Sequence, residues 1–245
     1  MNNSVQAISY INLAAAFVPV FAVIGIFWAW SLNAGNALYS VIRMLGQLML
    51  IGYFLALIFK SDSALVVVSV LTVMVFSSSW IALGTVGHHR RKLLLPAFWS
   101  ILLGGGITLL LITQGVLNLQ PWYLPRYMIP LAGMIFANAM NCVSLAAERL
   151  DSEIDRSQSF RQARNTAFHA SMIPVVNSLF AVGLVSLPGM MTGQILSGIA
   201  PFIAARYQIM VMCMIFGSAG LSTACFLVLV KPFFERRHAH VTDEE

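Results

Sequence analysis

The sequence predicts an all-α, polytopic integral membrane protein with about seven transmembrane helices, one of them broken by a Pro-Gly pair. Three observations predict it. The first is composition: 59 % of the residues are hydrophobic and only 9 % are charged, with a mean hydropathy of +0.82. A soluble chain carries about 25 % charged residues to cover its surface. The second is length, because a hydrocarbon core about 30 Å thick needs about 20 apolar residues of helix, and the apolar residues are gathered into runs of that size. The third is continuity, since the runs lack the apolar-polar alternation of a transmembrane strand. A disordered tail, a coiled coil, a disulfide-stapled secreted domain and a DNA-binding domain are all excluded. The whole chain, 1–245, reads as one transmembrane domain.

The first run, Ile8 to Trp30, has no Lys or Arg before it, because the first basic residue is Arg43. It therefore lacks the positive n-region of a cleavable signal peptide and is expected to stay in the protein. The second run, Ala37 to Phe59, contains Arg43, a charge that costs about 2.5 kcal/mol or more at the centre of a membrane helix. Gln47 lies four residues on and shares its helical face. Arg43 either snorkels to lipid headgroups or helps Gln47 line a polar path. Runs three and four, Ala64 to Val86 and Leu94 to Leu117, are separated by Arg90, Arg91 and Lys92. In the fifth run, Met128 to Ala147, Met134, Asn138, Asn141 and Leu145 fall on one face. Two carboxamides there either bond across helices or line a pathway, because they should not point at lipid.

Between Glu148 and Ser171 the chain turns charged, without Pro or Gly. Leu150, Ile154, Ser157, Phe160, Arg164 and Phe168 keep helical spacing, which predicts an amphipathic helix at the membrane surface. It is either a solvated connector or a docking surface for a soluble partner.

The sixth run, Met172 to Ser197, is the most unusual. Met172 to Ala205 carries no charge and would extend about 50 Å as a straight helix, too long for one upright span. Pro188 removes a backbone donor and Gly189 follows it, so a kink or partial re-entrant turn is expected there. Broken helices are common at transport sites. Asn177, near Pro174, has the same two readings as Asn138. Gly189 and Gly193 form a GxxxG step that permits close helix approach. Met190 and Met191 suit a soft ion such as Cu(I), but neighbouring helical residues point about 100° apart. The seventh run is Tyr207 to Val230.

With seven spans, Arg90, Arg91, Lys92, Arg149, Arg156, Arg161, Arg164, Lys231, Arg236 and Arg237 fall on one side. Lys60, Arg126 and Arg206 fall on the other. The positive-inside rule makes the richer side cytoplasmic, with the N-terminus outside and the C-terminus inside. The pI of about 9.4 thus reports topology, and nucleic acid is no partner. Cys142, Cys213 and Cys225 all lie in apolar runs, as small buried residues do.

Absences narrow the function. The lysines, Lys60, Lys92 and Lys231, never follow a glycine, so no P-loop is present and the chain does not hydrolyse ATP by a Walker motif. No acidic residue lies within a run and no HExxH motif occurs, which argues against a proton- or sodium-driven antiporter and an intramembrane metallohydrolase. No catalytic residue is assigned, and no cluster of His, Cys or carboxylates has metal-binding spacing.

Three stretches carry a family resemblance: VIRMLGQLMLIGYFLALIF, PRYMIPLAGMIFANAMNCVSLAAERL and, above all, SMIPVVNSLFAVGLVSLPGMMTGQILSG. The chain resembles the FetB-type permeases over nearly its whole length. These are membrane subunits of a small ABC transporter family implicated in bacterial iron export and related to the plant aluminium-sensitivity permeases. The resemblance implies a permease homodimer in the inner (plasma) membrane, two copies of a separate ATPase that uses the ATP, and no cofactor bound by this chain. It makes 148–171 the coupling segment, with Ile154, Phe160, Arg161, Arg164 and Phe168 facing the ATPase. Here that segment is shorter than the family's, because only DSEIDRSQ precedes SFRQARNTAFHASMIP. Arg43, Gln47, Asn138, Asn141, Pro188, Gly189, Met190, Met191 and Gln194 are the expected pathway residues. A membrane scaffold or sensor without transport, or a passive channel, is the alternative.

Overall fold

The computed structural model describes residues 8–61, 63–87, 89–156 and 159–234. Arg236, Arg237, Asp62 and Ser157 lie outside the described residues. The chain divides into two compact units at Ser61.

The first unit holds α1 (Tyr10–Ala15), α2 (Val18–Ala29) and α3 (Ala34–Ile58). Polar caps define its helix starts: the Ser9 hydroxyl accepts the Asn12 N–H at 3.2 Å, and Asn33 Oδ1 accepts the Asn36 N–H at 2.9 Å. Each satisfies a donor that a helix start leaves without an intrahelical partner. Taken by itself, the unit buries none of its helical residues, which suits helices whose apolar surface faces lipid.

The second unit holds α4 (Ala64–Ala82), α5 (Arg90–Leu110) with a π-helical extension over Leu111–Val116, α6 (Pro125–Asp155), α7 (Phe160–Ala181), α8 (Gly189–Leu196) and α9 (Pro201–Leu229). Among the described residues, six helices are long and apolar enough to cross a membrane: α1 with α2, α3, α4, α5 with its extension, α6 and α9. The remaining expected span, Met172 to Ser197, is divided between the second half of α7 and α8.

At the centre of this unit, α5 packs on α4, α6 and α9. Gly104 and Gly105 permit it. A Cβ on Gly104 would stand 2.5 Å from the Ser222 backbone nitrogen, and one on Gly105 would stand 2.9 Å from the Phe136 ring. Close backbone approach through small residues is how membrane helices gain packing without a hydrophobic driving force. The GxxxG step at Gly189 and Gly193, by contrast, packs against nothing: a Cβ at either meets no atom within 4 Å. The close approach expected at this step is found instead at Gly104 and Gly105.

Charge is segregated along the bundle. Lys92 lies over the Phe233 ring at 5.9 Å, while Arg164 lines a groove with Leu227 and Val228 at the end of α9. Arg126 lines a cavity with Tyr207 and Met210 at the start of α9. Arg90 closes the α4–α5 turn by donating twice to the Trp80 carbonyl, at 3.1 and 2.5 Å, and stacking on its ring.

The segment 148–171 is not one helix. Its first part continues α6 to Asp155, and α7 starts afresh at Phe160. ERLDSEID is good helix-forming sequence that prolongs the preceding span. Glu153 ties the α6 end together, meeting Arg149 at 2.7 Å and Arg156 at 3.9 Å. At the α7 start the Ser159 hydroxyl donates to Gln162 Oε1 at 2.9 Å. The connector is thus a helical hairpin.

Replacing Gly104 with alanine is expected to lower the unfolding midpoint in detergent by several degrees, because overpacking at a backbone contact costs about 1–3 kcal/mol. Gly193→Ala, with open space around it, should leave the midpoint unchanged or raise it slightly.

Candidate functional site

Two cavities of about 430 and 340 Å³ are lined by residues of α6, α8 and α9, and a third of about 380 Å³ is lined by the end of α7, the loop after it, α8 and α9. Their existence follows from how the chain breaks between α7 and α8. Helix α7 ends at Ala181, Val182 turns extended, and Gly183 takes φ +83°, a conformation that glycine adopts without a Cβ clash. The N–H groups of Leu184, Val185 and Ser186 all donate to the Ala181 carbonyl, at 3.2, 2.8 and 3.1 Å. The Gly183 N–H donates to the Ser186 carbonyl at 3.0 Å. The N–H groups of 182–186 are thus all paired within the protein, as backbone within a membrane requires.

Pro188 then opens α8 as its N-cap with ψ 146°. The break accordingly spans 182–188, and Pro188-Gly189 starts the next helix instead of ending the last one. Proline suits that place because its fixed φ and missing donor cost little at a helix start. Helix α8 is eight residues long and stops at Gly198, with φ +90°. Pro201 follows at the start of α9. A broken segment with a short helix results, in place of a simple kink.

The break lies level with the middle of the apolar run of α6. Ser186, Pro188 and Gly189 share the middle cavity with Asn138, which falls midway along the apolar run Met128 to Ala147. The structure brings Asn138, Pro188, Gly189 and Met190 together there. Met190 and Gln194 also line the first cavity, beside Arg126, Tyr127 and Tyr207. Met191 lines the third, so the two adjacent methionines do point into different cavities. Asn138 donates to the Met134 carbonyl at 2.8 Å, which satisfies its amide on its own helix.

Other expected residues are not gathered here. Asn141 lies on an exposed part of α6 and Asn177 on an exposed part of α7. Arg43 and Gln47 belong to the first unit, where both are exposed on α3. Of the expected coupling residues, Ile154 is buried at 4 % exposure in the hydrophobic core. Phe160 packs partly against the core, Arg161 is exposed, and Arg164 and Phe168 line a groove against Ala224, Leu227 and Val228.

Sequence reasoning missed Gln208, the side chain most suggestive of function. It is 5 % exposed, it lines both the middle and third cavities, and its Oε1 is buried without a hydrogen-bond partner. Gln194 Oε1 is in the same state. A buried acceptor left unpaired costs about 1–3 kcal/mol, so two around one cavity system mark a place where stability is given up. The available signal was a carboxamide close to the start of the seventh run. Met134 and Met212 were also missed as lining residues. Among the described residues no group of three or more His, Cys, Asp or Glu could hold a metal ion.

Comparison with known proteins places the chain. A family described as "Uncharacterised protein family (UPF0014)" matches residues 10–159 and 154–234. A relative in Escherichia coli K12, "Probable iron export permease protein FetB", is 36 % identical over 85 % of this chain and 85 % of its own length. "Protein ALUMINUM SENSITIVE 3" of Arabidopsis thaliana is 34 % identical over 90 % of this chain and 85 % of its own. A membrane protein of the same family from Synechocystis is 37 % identical over 83 % and 85 %. No solved structure matches. With its helical spans and a family match running from α1 to the end of α9, the chain belongs to the UPF0014 family of polytopic membrane proteins.

Proposed function

We propose that this chain is the membrane-spanning permease subunit of an ABC transporter that exports a small metal substrate, iron, with ATP hydrolysed by a separate ATPase subunit. The observation that carries this is the mid-depth break at 182–188, opening onto cavities whose buried carboxamide oxygens have no protein partner. Backbone irregularity at membrane depth is tolerated where protein or a watery cavity covers it, and such breaks are where transporters bind cargo. The printed name of the Escherichia coli relative supports iron as the cargo.

The mechanism is alternating access. In this reading the hairpin joining α6 and α7 lies on the cytoplasmic side of the plasma membrane, the N-terminus lies outside, and nucleotide-driven closure of the ATPase pair pushes on Phe160, Arg161, Arg164 and Phe168. Helix α7 is a rod of about 33 Å that delivers this movement to the loop at 182–188. Because that loop is tied to α7 through the Ser178 and Ala181 carbonyls, it turns with α7 and carries α8 past Asn138 and Gln208. A second copy of the chain would cover the exposed carboxamides Asn141 and Asn177, which lipid cannot satisfy. Arg43 and Gln47 contribute a further polar step on α3.

Three outcomes are expected. An ABC ATPase encoded beside this chain should co-purify with it, and Phe160→Asp with Arg161→Glu should weaken that retention at least tenfold; retention unchanged by both substitutions overturns the docking surface, and no retention at all favours a scaffold or passive channel. Gln208→Leu should leave the unfolding midpoint equal or higher while metal export from vesicles falls several-fold, as expected where function costs stability. Arg43→Leu should slow export in the same assay without loss of folded protein, and unchanged export removes Arg43 from the path.

A further inference from the structure

The middle cavity has a chemistry of its own. Met134 from α6, Met190 from α8 and Met212 from α9 all line it, so three different helices each supply a thioether. Gln208, 5 % exposed and with an unpartnered Oε1, faces the same space. No charged residue lines it. Arg126 lines only the neighbouring cavity.

This donor set discriminates among cations. Hard divalent and trivalent ions take carboxylate and other oxygen ligands, and the cavity offers no carboxylate. The cost of placing an ion in a low-dielectric space is large and grows with the square of its charge, so an uncharged cavity favours a single positive charge. Thioethers select soft ions, Cu(I) foremost. We propose that Met134, Met190 and Met212 form a binding site for a soft monovalent metal ion of the Cu(I) class, with Gln208 Oε1 as an auxiliary oxygen donor. The site lies against the break between α7 and α8, so turning α8 removes the Met190 ligand and weakens the hold on the ion. The inference rests on the permease reading of these cavities but sets a soft monovalent ion in place of iron as the ion this cavity prefers, and it does not depend on ATP coupling.

Silver(I), the redox-stable soft monovalent ion, is the probe. Binding to the purified full-length chain in detergent is measured with Cys142, Cys213 and Cys225 replaced by alanine, so that thiolates do not contribute. Saturable Ag(I) binding is expected, weakened at least tenfold by each of Met134→Leu, Met190→Leu and Met212→Leu. These swaps nearly conserve volume and keep the fold. Met49→Leu, at an 83 % exposed position of α3, should leave the affinity unchanged. Fe(II) should bind at least tenfold more weakly than Ag(I). Ag(I) affinity indifferent to all three leucine variants, or Fe(II) binding more tightly than Ag(I), overturns the proposal. Thioether-dependent Ag(I) binding by a chain that retains no ATPase upholds this site and overturns the ABC reading; ATPase retention without such binding does the reverse.

Discussion

Every backbone N–H and C=O within the hydrocarbon must find its partner inside the protein, and the form of this molecule depends on that requirement. Most segments meet it by staying helical from one face to the other. The chain between α7 and α8 meets it differently. Three consecutive amides converge on the Ala181 carbonyl, Gly183 supplies the positive φ that the return requires, and its N–H closes onto Ser186. Because the donors are satisfied locally, the helix can be interrupted at mid-depth without neighbouring helices filling the gap. The cavities beside α8 follow from that interruption.

Rigidity and looseness are divided between different parts of the second unit. Around α5 the packing is close: Gly104 and Gly105 bring backbones together, and Ser100, Thr108, Ser218, Ser222 and Thr223 are buried there. Ser100, Thr108 and Ser218 donate to carbonyls of their own helices, while the Ser222 and Thr223 hydroxyl oxygens are buried without a partner. Helix α8 is the opposite case. None of its residues is fully buried, both its glycines face open space, and it is short. A segment of few packed contacts is where low-energy movement is expected, and here it carries Met190 and Gln194 into the cavities. The close-packed α5 core provides a fixed reference for that movement.

Length and hydropathy made the spans legible. Composition, run length and continuity together predict an all-α membrane protein, and the runs locate most helices to within a few residues. Two features were not legible. Helix continuity through charged sequence was one: ERLDSEID reads as a surface segment by polarity, yet its propensity prolongs α6, so the single surface helix became a hairpin. The other was convergence in space. Asn138, Pro188, Gly189 and Met190 stood out in the sequence as polar or irregular residues and do meet. Met134 shares the Asn138 face by spacing alone, whereas Met212 reads as an ordinary apolar position, and the packing that brings the two into one cavity is not encoded in spacing. Gln208 lay in plain view as a carboxamide within an apolar run, but its unpaired oxygen exists only once α8 and α9 are assembled.

The central claim is that the mid-depth cavity beside the break is a path that opens to each side in turn. The most direct measurement is thiol accessibility at one position. Met190→Cys in a chain whose native cysteines are replaced by alanine, inserted in sealed vesicles, is treated with a membrane-impermeant thiol reagent from one side at a time, with and without nucleotide on the partner ATPase. The account predicts that Cys labelling at position 190 occurs, and that the reactive side changes with nucleotide state. A thiol that stays unreactive from both sides in every state would contradict it.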